Sequence, residues 1–348
     1  MILTRRGYVA LMVVSLGIAN AWLYGPRSLN AVVAPVTVAL AWAAVTVRRI
    51  DRPTLERTVP EEGFVGESHT ARLRFSAERT FTGHVEDTVP EDLEATGNEL
   101  TTGIGETTVA YDLTFARRGA YHIGPTTVTA RDVLGFAQKT FTYRDRQEVL
   151  VYPRIRSLGE RARQELNLLP DLDLIDTRGE FDGLREYQRG DSLRDVDWKS
   201  SARQPDDELI VKEYVDDEDL GEIHIAAETE WADREALEGE RARKSADAMA
   251  EAAASITDLL LETGLSVGIT APDGVVEPGA GSDQRRTILD LLARTGPGPV
   301  PPGKREDANL LIRADGPDAT VYVDGETVPF NRLVGEPADE PAPKATGG

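Results

Sequence analysis

The densest chemistry in this sequence lies between 178 and 214. Carboxylates at Glu180, Asp182, Glu186, Asp191, Asp195 and Asp197 alternate with cations at Arg185, Arg189, Arg194, Lys199 and Arg203. Paired carboxylates are the material of acid–base hydrolysis, in which one group must stay protonated to donate. Here every acid has an arginine or lysine close by in sequence, which favours the ionised form. The pattern suits a lattice of ion pairs better than a general acid. Phe181, Leu184, Tyr187, Leu193, Val196 and Trp198 thread the same stretch, so part of it must pack. A buried charge persists only when paired, which makes Arg185, Asp191, Arg194, Asp197, Lys199 and Arg203 expected partners of one another. Gly179, Gly183 and Gly190 mark tight turns or close backbone approach.

Other chemistry is sparse. The chain has no cysteine, which removes disulfides, thiolate nucleophiles and cysteine-based zinc sites, and no Ser/His constellation stands out. His69, His84 and His122 fall on separate strands or turns without ligand spacing, so they read as ordinary histidines. Glu228, Thr229 and Glu230 follow an apolar run and are weak candidates for an oxygen-ligated cation site. No cofactor is expected.

These residues need elements to hold them. Runs at 209–214 and 222–227 read as strands, followed by a helix over 231–263 with Ala242, Ala246, Met249, Ala253, Ile256 and Leu260 on one stripe. A strand at 265–270, a helix over 282–294 and a strand at 320–323 complete an α/β domain over 206–333, with a parallel-rich sheet. Upstream, runs at 71–75, 107–115, 126–131 and 136–143 alternate apolar with polar residues between turn-forming clusters. They predict an antiparallel β-sandwich over 54–153, with the charged segment at 154–205 between the two domains. Residues 334–348, rich in proline, alanine and acid, read as a disordered tail.

The first fifty residues differ from all of this. Two uncharged apolar runs, 7–24 and 31–47, are each close to the ~20 residues that cross a bilayer as a helix. Arg5 and Arg6 precede the first run and Arg48, Arg49 and Arg52 follow the second, while the link between them holds only Arg27. The positive-inside rule then places a two-pass hairpin with both termini cytoplasmic. Two readings compete. Thr4–Tyr8 resembles a twin-arginine export signal, with 19–21 as a cleavage site, though a second run ending in arginines would still anchor. A pair of buried core helices would carry polar faces, and these have none.

The formal net charge of −21 is spread through the soluble segments, and such a surface repels nucleic acid and anionic headgroups. Excess acid with scarce lysine resembles the proteins of salt-loving archaea.

Read in order, Gly183–Tyr187, Gly190–Arg194, Asp197–Lys199 and Ser201–Arg203 closely resemble the signature of the domain of unknown function 58 family. Its residues here are Gly183, Leu184, Arg185, Glu186, Tyr187, Gly190, Asp191, Arg194, Asp197, Trp198, Lys199 and Arg203. Arg117–Tyr121 and Asp132–Phe136 resemble the family's upstream sandwich region, so the resemblance runs through essentially the whole chain. It implies a membrane hairpin, an immunoglobulin-like sandwich and a domain like the von Willebrand factor A fold. It further implies work beside a MoxR-type AAA+ ATPase in assembling or remodelling complexes. The von Willebrand A fold often holds a metal through Asp-x-Ser-x-Ser after its first strand; at that place this chain has Ala226–Trp231, without the aspartate or either serine.

The expectation is a non-enzymatic, membrane-tethered adaptor. The alternatives are a metal-dependent von Willebrand A-type receptor and a carboxylate hydrolase.

Overall fold

The computed structural model, which describes residues 2–24, 30–159, 181–186, 210–214, 221–230, 239–323 and 325–334, divides into two units, Met1–Val151 and Tyr152–Gly348. The expected tail at 335–348, and most of the charged segment, lie outside the described residues.

The first unit is built on alternation. Its strands are β1 (Ile2–Leu3), β2 (Thr54–Thr58), β3 (Glu62–Phe64), β4 (Ser68–Ser76), β5 (Phe81–Asp87), β6 (Leu93–Thr96), β7 (Glu99–Ile104), β8 (Thr107–Phe115), β9 (Gly119–Ile123), β10 (Thr126–Arg131), β11 (Ala137–Tyr143) and β12 (Gln147–Tyr152). They form sheets of order β2-β4-β8-β6, β1-β11-β10-β5-β7 and β3-β12-β9. β4 runs antiparallel to β2 and β8, β10 to β5 and β11, and β9 to β12. In β4 and β8 every second side chain turns inward, so Ala71, Leu73 and Phe75 meet Val109, Leu113 and Phe115 in one core with Val85, Val128 and Val149. Each buried valine, leucine or phenylalanine among them contributes roughly 1.5–3 kcal/mol by leaving water. The result is β-rich and consistent with an immunoglobulin-like sandwich.

One buried carboxylate stands inside this core. Asp87 has no exposed surface; its Oδ1 accepts from Arg57 Nη2 at 2.9 Å and Thr126 Oγ1 at 2.8 Å, and its Oδ2 from Tyr111 Oη at 2.8 Å. Burial first, then the neighbouring Asp87 charge, pushes the Tyr111 phenol far above its ordinary range.

Two helices complete the unit, α1 (Arg5–Tyr24) and α2 (Asn30–Arg48). Among the described side chains α1 buries only a stripe of Gly7, Ala10, Val14 and Gly17, while Ala43 and Val47 of α2 pack on Phe136 and Ala137. The outward faces stay apolar: Val9, Met12, Leu16, Ile18, Trp22 and Leu23 of α1 and Val38, Trp42 and Val45 of α2 are exposed. Among the described residues no helix is long and apolar enough to cross a membrane; the link at 25–29 and the side chains at 30–32 fall outside them.

The second unit holds β13 (Phe181–Glu186), β14 (Ile210–Tyr214), β15 (Glu222–Thr229), α3 (Gly239–Glu262), β16 (Ser266–Ala271), β17 (Gly274–Gly279), α4 (Gly281–Arg294), α5 (Pro302–Glu306), β18 (Leu310–Asp315), β19 (Asp318–Val323), β20 (Glu326–Pro329) and α6 (Phe330–Leu333). A six-stranded sheet runs β17-β16-β15-β18-β19-β20, while β13 and β14 pair separately. Only β16, β15 and β18 are mutually parallel; β17, β19 and β20 join by antiparallel pairing. The sheet is therefore mixed and not parallel-rich, because short hairpins at both edges return the chain without a crossover. α3 carries the expected stripe, with Ala242, Ala246, Met249, Ala253, Ile256 and Leu260 all buried. Gly264, at φ +86°, ends it, and Leu265 N donates to Leu260 O. The expected helix start at 231–238 lies outside the described residues.

Candidate functional site

β15 is the central strand of the parallel trio, and its carboxyl end is where an α/β sheet ordinarily presents a ligand site. Alternation sends Ile223, Ile225 and Ala227 into the core and His224, Ala226 and Glu228 to the other face. Glu228 is 1% exposed, and such a carboxylate survives only if its oxygens are satisfied. They are. Oε1 accepts from Arg313 Nε at 3.0 Å and Nη2 at 2.7 Å. Oε2 accepts from Arg305 Nη2 at 2.5 Å and from the Val300 backbone N–H at 3.2 Å. Register explains half of this: Arg313 on β18 stands directly beside Glu228. The Arg313 guanidinium also lies 5.6 Å from the Tyr322 ring centroid. Burial works against the charge on Arg313, but the hydrogen bonds and charge of Glu228 outweigh it and hold its pKa up.

The three candidate cation ligands do not converge. Glu228 is engaged by two guanidiniums, and Thr229 exchanges backbone and side-chain bonds with Gly298. Glu230 donates its backbone N–H to Ala314 O and keeps its side chain exposed. Where a divalent ion would sit, arginine already supplies the positive charge. Among the described residues no group of three or more His, Asp or Glu is placed to hold a metal. His69 bonds Glu67, and His84 bonds Thr101 and pairs with Glu99, so these two are locally partnered.

The signature segment is described in part. Gly183, Leu184, Arg185 and Glu186 lie on β13 opposite Glu213, Lys212, Val211 and Ile210 of β14, with a register shift between Phe181 and Gly183. A shift there fits the glycine, which tolerates the bulge. Tyr187, Gly190, Asp191, Arg194, Asp197, Trp198, Lys199 and Arg203 lie outside the described residues, as do Glu180 and Asp195.

Sequence reasoning missed three participants. Arg305 and Arg313 stand 77 and 85 residues from Glu228, beyond any local pattern. His224 was unremarked too. Its Nε2 lies 2.7 Å from Thr270 Oγ1 and its backbone N–H donates to Asn309 Oδ1. Burial, then Lys304, lowers its pKa below the ordinary value of 6.5.

Comparison with known proteins meets this geometry at the α/β unit. Residues 183–316 match the family described as protein of unknown function DUF58. The match begins at Gly183 of the signature and spans β15 through β18, with Glu228, Arg305 and Arg313 inside it. It covers well under half of the chain, so Arg117–Tyr121 and Asp132–Phe136 fall outside the DUF58 match. The uncharacterized protein YeaD of Bacillus subtilis (strain 168) is 29% identical over 115 residues, 31% of this chain and 27% of YeaD. The chain thus aligns with about a quarter of that relative. Among solved structures, the PKD domain of an M14-like peptidase from Thermoplasmatales archaeon SCGC AB-540-F20 has a TM-score of 0.20 at 15% identity, covering 29% of this chain and 97% of that one. The SrpA adhesin of Streptococcus sanguinis has a TM-score of 0.22 at 11% identity, covering 40% and 83%. Scores this low carry no argument about fold or function.

Proposed function

We propose that this chain is a membrane-tethered, non-enzymatic adaptor with both termini in the cytoplasm. It presents a sandwich and an α/β domain of von Willebrand A type to a cytoplasmic partner, a MoxR-type AAA+ ATPase engaged in complex assembly or remodelling. The observation that carries the reading is the apolar coat of α1 and α2, with Trp22 at 86%, Trp42 at 72% and Leu16 at 67% exposure. Side chains this apolar need a non-aqueous neighbour, and contiguous patches of this kind mark membrane or partner surfaces. Neither helix is long and apolar enough over its described residues to cross a membrane, so the proposal rests on exposure and on charge. Arg5, Arg6, Arg48 and Arg49 cluster at the hairpin's open end, as the positive-inside rule asks. An adaptor needs no catalytic group, and a Glu228 engaged by two arginines suits rigidity better than turnover.

The test is topology and then partner. A reporter fused after Gly348 should be active only in the cytoplasm, and the chain should resist alkaline extraction from membranes. Activity of a fusion on the outer side, or full release by alkali, would sink the reading. Co-purification at native salt should bring down an AAA+ ATPase.

A further inference from the structure

We propose that the cleft at the base of the hairpin, between α2 and the sandwich, holds the phosphate of an acidic phospholipid. The inference rests on the membrane reading above and names the lipid that reading leaves open. The cleft has a volume of about 990 Å³, and its walls are of two kinds. Trp42, Val45 and Ile50 from α2 and its end give an apolar side, while Arg49, Arg52, Arg79 and Arg131 bring four guanidiniums to the same space. An acyl chain on one wall and a phosphate on the other is the chemistry such a lining fits.

Three of the four guanidiniums are free for that work, and the fourth is braced at the wall. Arg52 donates to Thr142 O and lies 4.5 Å from the Tyr143 ring centroid. The side chains of Arg49, Arg79 and Arg131 have no hydrogen-bond or ion-pair partner among the described residues, and all three residues are exposed. Three carboxylates line the cleft too, Asp51, Glu78 and Asp132. Asp132 is turned inward: its Oδ1 accepts from Ala137 N at 2.6 Å and its Oδ2 from Leu134 N at 2.9 Å. Arg5 and Arg6 line a second, smaller hollow beside α1 with Val9, Val13 and Phe136. The chain as a whole carries a charge of −21, yet this end is locally cationic, and at physiological salt a headgroup responds to charges within about 8 Å.

The turn held by Asp132 supplies the second observation. Gly135, at φ +69°, closes it with its N–H on Asp132 O, and Val133 and Leu134 project at 102% and 51% exposure. Two exposed aliphatic side chains, one of them fully solvated, on a tightly braced turn, with Val133 on the rim of the cleft, form a wedge for the interfacial layer. The Asp132–Phe136 motif, which lies outside the DUF58 match, gains a role here: it docks α1 through Thr4 N on Phe136 O and aims the wedge at the bilayer.

Trp42 is a built-in reporter because it lines the cleft. The full chain carrying Trp22→Phe, Trp198→Phe and Trp231→Phe would be reconstituted in phosphatidylcholine bilayers containing phosphatidylglycerol. Either lipid is supplied brominated at equal mole fraction. Brominated phosphatidylglycerol should quench Trp42 roughly fivefold more effectively, the enrichment expected from one surface guanidinium or more. The triple substitution Arg49→Ala, Arg79→Ala and Arg131→Ala should erase the difference while leaving quenching by both lipids. Equal quenching in the parent would overturn the inference and leave the hairpin in the membrane. Selectivity that survives the triple substitution would overturn it as well, by moving the headgroup elsewhere. Absence of quenching by either lipid would remove the membrane reading and the inference with it.

Discussion

Gly7 of α1 and the carbonyl of Phe136 lie so close that a Cβ on Gly7 would stand 2.1 Å from the Phe136 oxygen. That carbonyl already accepts the Thr4 N–H at 2.9 Å, and Thr4 Oγ1 bonds Gly135 O. The helix pair is thus docked on the sandwich at a point that admits no side chain. Gly7→Ala should push α1 off this seat, at a cost of about 1–3 kcal/mol typical of overpacking against backbone. Limited proteolysis near residue 50 should quicken in Gly7→Ala and stay unchanged in Ser15→Ala, which alters an exposed position of the same helix. Equal protection of the two variants would show that the close approach does not secure the helices.

Asp87 offers a sharper test of the sandwich. It is fully buried, and Arg57, whose side chain is 7% exposed, is its cation. Asp87→Ala leaves that guanidinium without its counter-charge, with only neutral acceptors at Ile123 O, Asp145 O and Thr126 Oγ1, and takes the acceptor from the Tyr111 and Thr126 hydroxyls, which should cost about 3–5 kcal/mol. Arg57→Ala should cost a similar amount. The double variant should lose clearly less than the sum, because each single change already forfeits the shared pair. Chemical denaturation of all three gives the coupling, and additivity would refute it.

What the sequence disclosed follows physical reach. Strands expected at 71–75, 107–115 and 126–131 fall within β4, β8 and β10, where alternation is strict because one face meets the core. β5 went unread: Phe81–Asp87 mixes Thr82, Gly83, His84 and Glu86 into a strand whose burial depends on β10 and β7. β17, with Pro278 and two glycines, and the four-residue β20 are edge strands defined by pairing, not by pattern. The stripe of α3 was legible because a 3.6-residue period is local. The Glu228 cluster was not, since a carboxylate's partner is fixed by sheet register across 85 residues. Read alone, Glu228 offers oxygens to a metal; in the fold two guanidiniums engage both of them.

His224 sets a pH dependence with a definite sign. Its pKa is lowered from 6.5 by burial first and by Lys304 second, against the opposing pull of Glu277 and Asp307. Between the lowered value and 6.5 the unfolded chain binds a proton that the folded chain does not, so stability rises with pH across that window. Above it His224 is neutral in both states and contributes no slope. His224→Asn should flatten this limb when unfolding is followed by denaturant from about pH 5 to about pH 8. An unaltered slope would mean that the proton uptake belongs to another group.

Glu228 decides between a rigid ion cluster and a latent cation site. Its two guanidinium partners are each about one-third exposed, 33% for both Arg305 and Arg313, against 2% for the glutamate side chain. Water therefore screens the arginines but not the carboxylate, and removing Glu228 costs less than breaking a fully buried pair. Glu228→Ala should destabilise by about 1–3 kcal/mol, the range for leaving charged donors short of a partner. Arg313→Ala should cost comparably or more, because it leaves a buried carboxylate with one guanidinium. Glu228→Gln keeps the shape and loses the charge, so its loss relative to alanine measures packing against electrostatics. The cation reading makes the opposite demand: Mg²⁺ or Mn²⁺ should then raise the melting temperature of the parent in a saturable way, as a ligand of the native state must. Arginines already occupying both oxygens predict that added divalent ions act no differently from matched ionic strength. Saturable binding in the parent that Glu228→Ala abolishes would reverse the assignment and return the site to metal-dependent recognition.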